Sequence, residues 1–127
     1  MTELDAEVMM YTISEVGKLL GVSTHTLRYY EKEKIIVANR DANGNRLFND
    51  SQITWLRFVM KLKQTQMPIA QIREYARLYT EGEHTTKTRL KLLEDHRTFI
   101  QNQIENLVIT EKMLENKIIV YKESLEK

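Results

Sequence analysis

His25, His84 and His96 are the histidines of this 127-residue sequence, and it contains no cysteine. The three are too widely separated for a ligand set and no acidic cluster accompanies them, so no metal site is expected. Without thiols, a disulfide framework, an iron–sulfur cluster and a thiol-based sensor are excluded. There is also no phosphate-cradling glycine loop, and no nucleophile stands with a base and an orienting partner. Hence no enzyme activity, no catalytic residue and no cofactor are expected. What remains is reversible recognition by charged and hydrogen-bonding side chains. The net charge of +1 hides where these lie: residues 9–63 hold nine Lys or Arg against five Asp or Glu, a local balance of +4, whereas residues 80–127 hold eight against nine. Any basic face must be local and belong to the first half.

The elements that would carry that face are short and well punctuated. Thr12-Ile13-Ser14-Glu15 is a capping-box pattern that opens a helix with Ile13, Val16, Leu19 and Leu20 as its apolar stripe, and Gly21 supplies a left-handed stop. Ser23 is a second N-cap. It opens a helix with Leu27 and Tyr30 on one face and Thr24, His25, Arg28 and Tyr29 pointing elsewhere. Two helices joined so tightly, with the small Gly17 permitting a close crossing, form a helix-turn-helix candidate. Ile35-Ile36-Val37 reads as a short strand, and Asn43-Gly44 as a two-residue hairpin turn before Arg46-Leu47-Phe48. That hairpin is a wing with Arg40 and Arg46 flanking its tip.

A third helix starts at Asn49 or Asp50, turns Ile53, Leu56, Val59 and Met60 inward with Trp55 nearby, and ends around Gln66. Pro68 fits the first turn of a fourth helix bearing Ile69, Ile72, Tyr75, Ala76 and Tyr79 at helical spacing. No glycine or proline follows Gly82, so the rest can be one uninterrupted helix. Leu90, Leu93, Arg97, Ile100, Ile104, Leu107, Glu111, Leu114, Ile118, Tyr121 and Leu125 recur there at spacings of three and four, a heptad seam with nine of eleven positions apolar. Forty helical residues make a rod of roughly 60 Å, so a second chain must bury much of it. Arg97 and Glu111 either lie near the ends of the paired segment or penalise wrong registers. The fold expected is therefore mainly α: a winged helix-turn-helix head over residues 9–79 with a small β-hairpin wing, a linker at 80–85, and a long coiled-coil dimerisation helix over 86–125.

Residues Tyr11 to Val16 (YTISEV), Gly21-Val22-Ser23, Thr26-Leu27-Arg28-Tyr29-Tyr30-Glu31, Arg40 and Gly44-Asn45-Arg46 together resemble the MerR-type transcription regulators. The likeness covers the whole chain. In the tail, Glu81-Gly82-Glu83, Arg89-Leu90 and Leu92 to Arg97 look most like the short branch that includes aldehyde-responsive members, though without their cysteine. Three positions depart from the family pattern: Lys34 and Gln66 stand where glycine is usual, and Ala38 where proline is, which puts local turn geometry in question.

The resemblance implies a homodimer whose long helices pair antiparallel through Leu90, Leu93, Ile100, Ile104, Leu107, Leu114, Ile118 and Tyr121. It also implies a recognition helix that places Thr24, His25, Arg28 and Tyr29 against DNA, as in other helix-turn-helix proteins. The rival reading for Arg28 is an (i, i+3) ion pair with Glu31. Arg46 is expected to clamp phosphate from the wing, with Arg40 and Lys63 as lesser backbone contacts. The family's mode of action would be binding at a pseudo-palindromic promoter site and bending an overlong spacer so that RNA polymerase engages both hexamers. Such a protein would work in the cytoplasm, with no membrane contact. Which small-molecule effector acts, if any, is left open, since the thiol sensing of the relatives is ruled out. Plain packing outweighs a pocket as the role of Tyr75, Tyr79, Phe99 and Met113. Two other classes compete: a coiled-coil interaction protein with a vestigial DNA-binding head, and a recombination accessory factor.

Overall fold

The computed structural model describes residues 9–127. It contains strand β1 (Met10–Thr12), helices α1 (Ile13–Leu20) and α2 (Thr24–Lys32), strands β2 (Asn39–Arg40) and β3 (Arg46–Asn49), and helices α3 (Asp50–Gln64), α4 (Ile69–Glu81) and α5 (Thr86–Leu125). The expected winged helix-turn-helix architecture followed by a long helix is present. The chain divides into two compact units, the first running to Arg89 and the second from Leu90 to Lys127. No helix of the described residues is long and apolar enough to cross a membrane.

The helix-turn-helix forms for the reasons its sequence declares. The Thr12 hydroxyl accepts from the Glu15 backbone N–H while the Glu15 carboxylate accepts from that of Thr12, a complete capping box. Gly21 closes α1 in the left-handed conformation at φ +70°. Gly17 is needed because a Cβ there would stand 2.9 Å from the Val22 carbonyl oxygen, so it is the turn's backbone, more than the second helix, that demands a small residue. Ser23 then caps α2 through Thr26 N–H at 3.1 Å, and Leu27 and Tyr30 turn inward.

These two side chains join Val16, Ile35, Ile36, Phe48, Ile53, Leu56, Val59, Leu62, Met67 and Ile72 in one core. Each fully buried aliphatic or aromatic side chain there contributes about 1.5–3 kcal/mol, so this cluster, more than any surface pair, holds the first unit together. Met60, expected inside, is only half-buried, and Leu62 takes the buried place beyond it.

The wing departs from expectation in three ways. Ile35-Ile36-Val37 is not a strand. Ile35 and Ile36 are both buried, which the alternation of a one-faced strand forbids, and side chains of α3 take up the local carbonyls: Trp55 Nε1–H donates to Ile35 O at 2.8 Å and Gln52 Nε2–H to Val37 O at 2.6 Å. The strand forms two residues later at Asn39–Arg40. The hairpin turn is also longer than two residues. Asp41 and Asn45 face each other through Asp41 N–H to Asn45 O, and Gly44 alone has positive φ, at +82°, whereas a two-residue type I′ turn needs two such residues. Finally, β1 was not anticipated. It pairs antiparallel with β3 (Tyr11 opposite Phe48), giving a three-stranded sheet of order β1-β3-β2.

Lys34 and Gln66, the two departures from the family's glycines, are the only non-glycine residues of the described chain with positive φ, at +63° and +74°. The turns therefore keep their left-handed geometry without glycine, at a cost of about 1–2 kcal/mol each. Pro68 occupies the N-cap of α4, one residue before the first turn. On α4, Ile72, Tyr75, Ala76 and Leu78 are buried, but Tyr79, expected inward, is 60% exposed. Residues 80–85, expected as a linker, hold the end of α4 and one 3-10 turn (Glu83–Thr85), whose Thr85 hydroxyl donates to Leu78 O at 2.7 Å.

Helix α5 spans 40 residues. Leu90, Ile104, Leu107, Leu114, Ile118 and Tyr121 of the heptad seam are each more than half exposed, while Leu93 and Ile100 are half-buried. Val108, Ile109, Met113, Ile119 and Val120 are exposed as well, so the apolar surface is broader than the narrow seam read from spacing.

Candidate nucleic-acid interface

The outward face of α2 is set by the inward one. With Leu27 and Tyr30 anchored in the core, the 100° step per residue leaves His25, Arg28 and Tyr29 exposed and Thr24 half-buried at the first turn. Arg28 Nη1 donates to the Thr24 hydroxyl at 3.3 Å, one turn back on the same face. The alternative partner, Glu31, is taken elsewhere. Its Oε1 accepts from Arg46 Nε at 2.5 Å and its Oε2 from Arg40 Nη2 at 3.0 Å. One carboxylate on α2 thus holds an arginine from each strand of the wing.

Arg40 also donates through Nη1 to the Gly44 carbonyl at 3.2 Å, tying the tip of the wing to its stem. The tip is closed from within by Asp41, whose Oδ1 accepts from the Asn43 and Asn45 backbone N–H groups at 2.9 Å each. The backbone bond from Asn45, with Asn43 adding to it, holds the Asp41 carboxyl below its ordinary value of 3.8. Because the folded value is depressed, this carboxylate supports the loop fully above the ordinary value and loses it as pH falls through the lowered one. Following the Asn43 and Asn45 amide resonances during acidification should give a common transition with a midpoint below 3.8; a midpoint at or above that value contradicts the loop closure.

Arg28, Arg40 and Arg46 line one groove of about 280 Å³, together with Thr12, Ile13 and the wing loop. Arg28, Arg40 and Arg46 stand there against the carboxylates of Glu31 and Asp41, so the groove keeps one net positive charge. Of the residues singled out from sequence, the structure therefore brings Arg28, Arg40 and Arg46 together with Thr24 beside them, and leaves His25 and Tyr29 exposed on the same helix. Lys63 lies exposed in the last turn of α3, and among the described residues no hydrogen bond or ion pair joins it to the groove.

Two organising residues escaped sequence reasoning. Glu31 was read only as a partner for Arg28, because its true partners lie nine and fifteen residues away. Gln52 completes a capping box with Asn49 and also accepts from Asn39 Nδ2 and donates to Val37 O, fastening the wing's approach to α3. The Asn49-to-Gln52 spacing was a usable signal for the first of these roles. A second hollow of about 650 Å³ lies between α3 and α4, walled by Trp55, Phe58, Tyr75 and Tyr79, with Trp55 stacked on Tyr75 at 5.8 Å and on Tyr79 at 5.6 Å. No metal-binding cluster of His, Asp or Glu occurs among the described residues.

A helix-turn-helix whose exposed helix face is continuous with an arginine-bearing wing defines a winged-helix DNA-binding protein. The family assignment agrees: residues 11–78 match the model described as MerR HTH family regulatory protein, and residues 53–117 match that described as MerR, DNA binding. The chain belongs to the MerR family and is a MerR-type DNA-binding transcriptional regulator. It is 33% identical to an uncharacterized HTH-type transcriptional regulator of Haemophilus influenzae, over 91% of this chain and 87% of that one. With the HTH-type transcriptional regulator AdhR of Bacillus subtilis it shares 34% identity over 67% of this chain and 61% of the relative. In structure it is similar to HiNmlR, a MerR family regulator lacking the sensor domain and solved bound to promoter DNA, with a TM-score of 0.85, 34% identity and coverage of 91% and 92%.

Proposed function

We propose that this regulator acts in the cytoplasm as a homodimer, presenting two α2 helices to successive major-groove half-sites of a pseudo-palindromic promoter element. The observation that carries the DNA face is the convergence of Arg28, Arg40 and Arg46 on one groove beside the exposed face of α2. In this reading Thr24, His25 and Arg28 meet base edges, while Tyr29, Arg40, Arg46 and Lys63 contact the phosphate backbone. The exposed apolar surface of α5 supports the dimer: an unsatisfied stripe of this length is what a second helix would cover. Similarity to a regulator solved on promoter DNA supports the promoter as target. The protein would act on RNA polymerase through the DNA alone, by distorting a spacer whose deformability is part of the recognised sequence. The signal, in a chain without cysteine, is sensed without thiol chemistry.

The test is retention of genomic fragments at near-physiological salt, followed by variants. Dyad-symmetric fragments within promoter spacers are expected. Arg46→Ala should weaken binding to every duplex and lower the salt slope by about one phosphate contact, whereas Thr24→Ala should relax sequence preference with little change in slope. The opposite pattern would reverse the assigned roles. Absence of saturable, salt-dependent retention would favour a coiled-coil interaction protein instead, and retention at attachment sites a recombination accessory factor.

A further inference from the structure

Glu31 sits three residues beyond Arg28 on the recognition helix, half-buried, with one carboxylate oxygen on each wing arginine. A free surface arginine samples many rotamers and so can meet phosphates over a range of positions. Arg46 is instead held through its Nε–H, and among the described residues its Nη1 and Nη2 groups are not engaged. That leaves Nη1 and Nη2, the end of the guanidinium that can bind phosphate bidentately, without a partner among the described residues, on a side chain that lines the groove. Arg40 is fixed from both sides, by Glu31 and by the Gly44 carbonyl.

We propose that Glu31 is a specificity-determining positioning residue: it sets the wing's phosphate contacts at a fixed distance and angle from the α2 side chains that read bases. The inference rests on the DNA-binding reading of the wing given above. A carboxylate beside two phosphate-binding arginines lowers non-specific affinity, since it opposes the backbone charge. It raises discrimination, because phosphate contact is then made only where the base-reading helix is seated in register. Without Glu31 the arginines would be freer and the local charge more positive, so any duplex would be bound, and the correct one with less advantage.

The experiment compares the full chain with Glu31→Ala, Glu31→Gln and Arg46→Lys on a genomic fragment that the wild type retains and on a shuffled duplex of equal length. Glu31→Ala is expected to lower affinity for the retained fragment about tenfold while affinity for the shuffled duplex holds or rises a few-fold. Glu31→Gln, which keeps an oxygen for Arg46 Nε–H without the charge, should recover part of the ratio. Arg46→Lys keeps the charge but cannot offer one N–H to Glu31 and a fork to phosphate, so it should lose discrimination as Glu31→Ala does. If both affinities fall together in Glu31→Ala, the residue is merely structural; if both rise together, it is only an opposing charge. Either result overturns the proposal, as does an unchanged ratio. Should the wild type bind no duplex at all, the DNA reading of the wing falls and this inference with it, an outcome distinct from the other three.

Discussion

On the proposed homodimer reading, replacing Ile104 and Leu107 with aspartate is expected to leave the protein monomeric and to weaken its hold on operator DNA by about two to four orders of magnitude. Both positions lie at the middle of the seam, and both are more than half exposed in the single chain, so the head should fold as before. The loss arises because two half-sites bound by one dimer raise the effective concentration of the second head, and separated heads forfeit that gain. Sedimentation and binding isotherms on a dyad-symmetric fragment and on an isolated half-site would check it. The half-site affinity should hardly change. A variant that sediments as a monomer yet binds the full site as tightly as the wild type would rule out the dimer as the DNA-binding form.

The second large effect is on stability. Leu27 is 1% exposed and, with Tyr30, anchors α2 in the core, so Leu27→Ala should destabilise the head by about 3 kcal/mol through lost burial and an unfilled cavity. For a domain of this size each kcal/mol shifts Tm by roughly 5 °C, which predicts a fall of about 15 °C. Trp55, held by its bond to the Ile35 carbonyl, is the reporter for thermal unfolding. Arg28→Ala, at a neighbouring position on the exposed face, serves as the comparison and should leave Tm nearly unchanged. If the two substitutions shift Tm equally, the division of α2 into a core face and a binding face is wrong.

Local signals carried much of this reading. Thr12, Ser23 and Asn49 are capping residues with short polar side chains, and each satisfies backbone donors within three residues, so its effect is visible in a window of four. Gly21 and the alternation of Leu27 and Tyr30 with Arg28 and Tyr29 are equally local. The wing was less legible. Three-residue β1 and two-residue β2 are too short to show a period, and they exist because β3 lies between them. Ile35 and Ile36 have strand propensity, but both are buried in the core, and Trp55 and Gln52 take up the Ile35 and Val37 carbonyls instead of a neighbouring strand.

The sequence by itself therefore determined the order of elements, the caps and stops, which face of α2 turns inward, and the long apolar seam of α5, because each depends on neighbours within a turn or a heptad. Only the tertiary structure decided where the charges go. Glu31 chooses Arg40 and Arg46 over Arg28 because the fold brings both wing side chains within bonding distance of its carboxylate, and an ion pair depends on distance in space, to which spacing along the chain is blind.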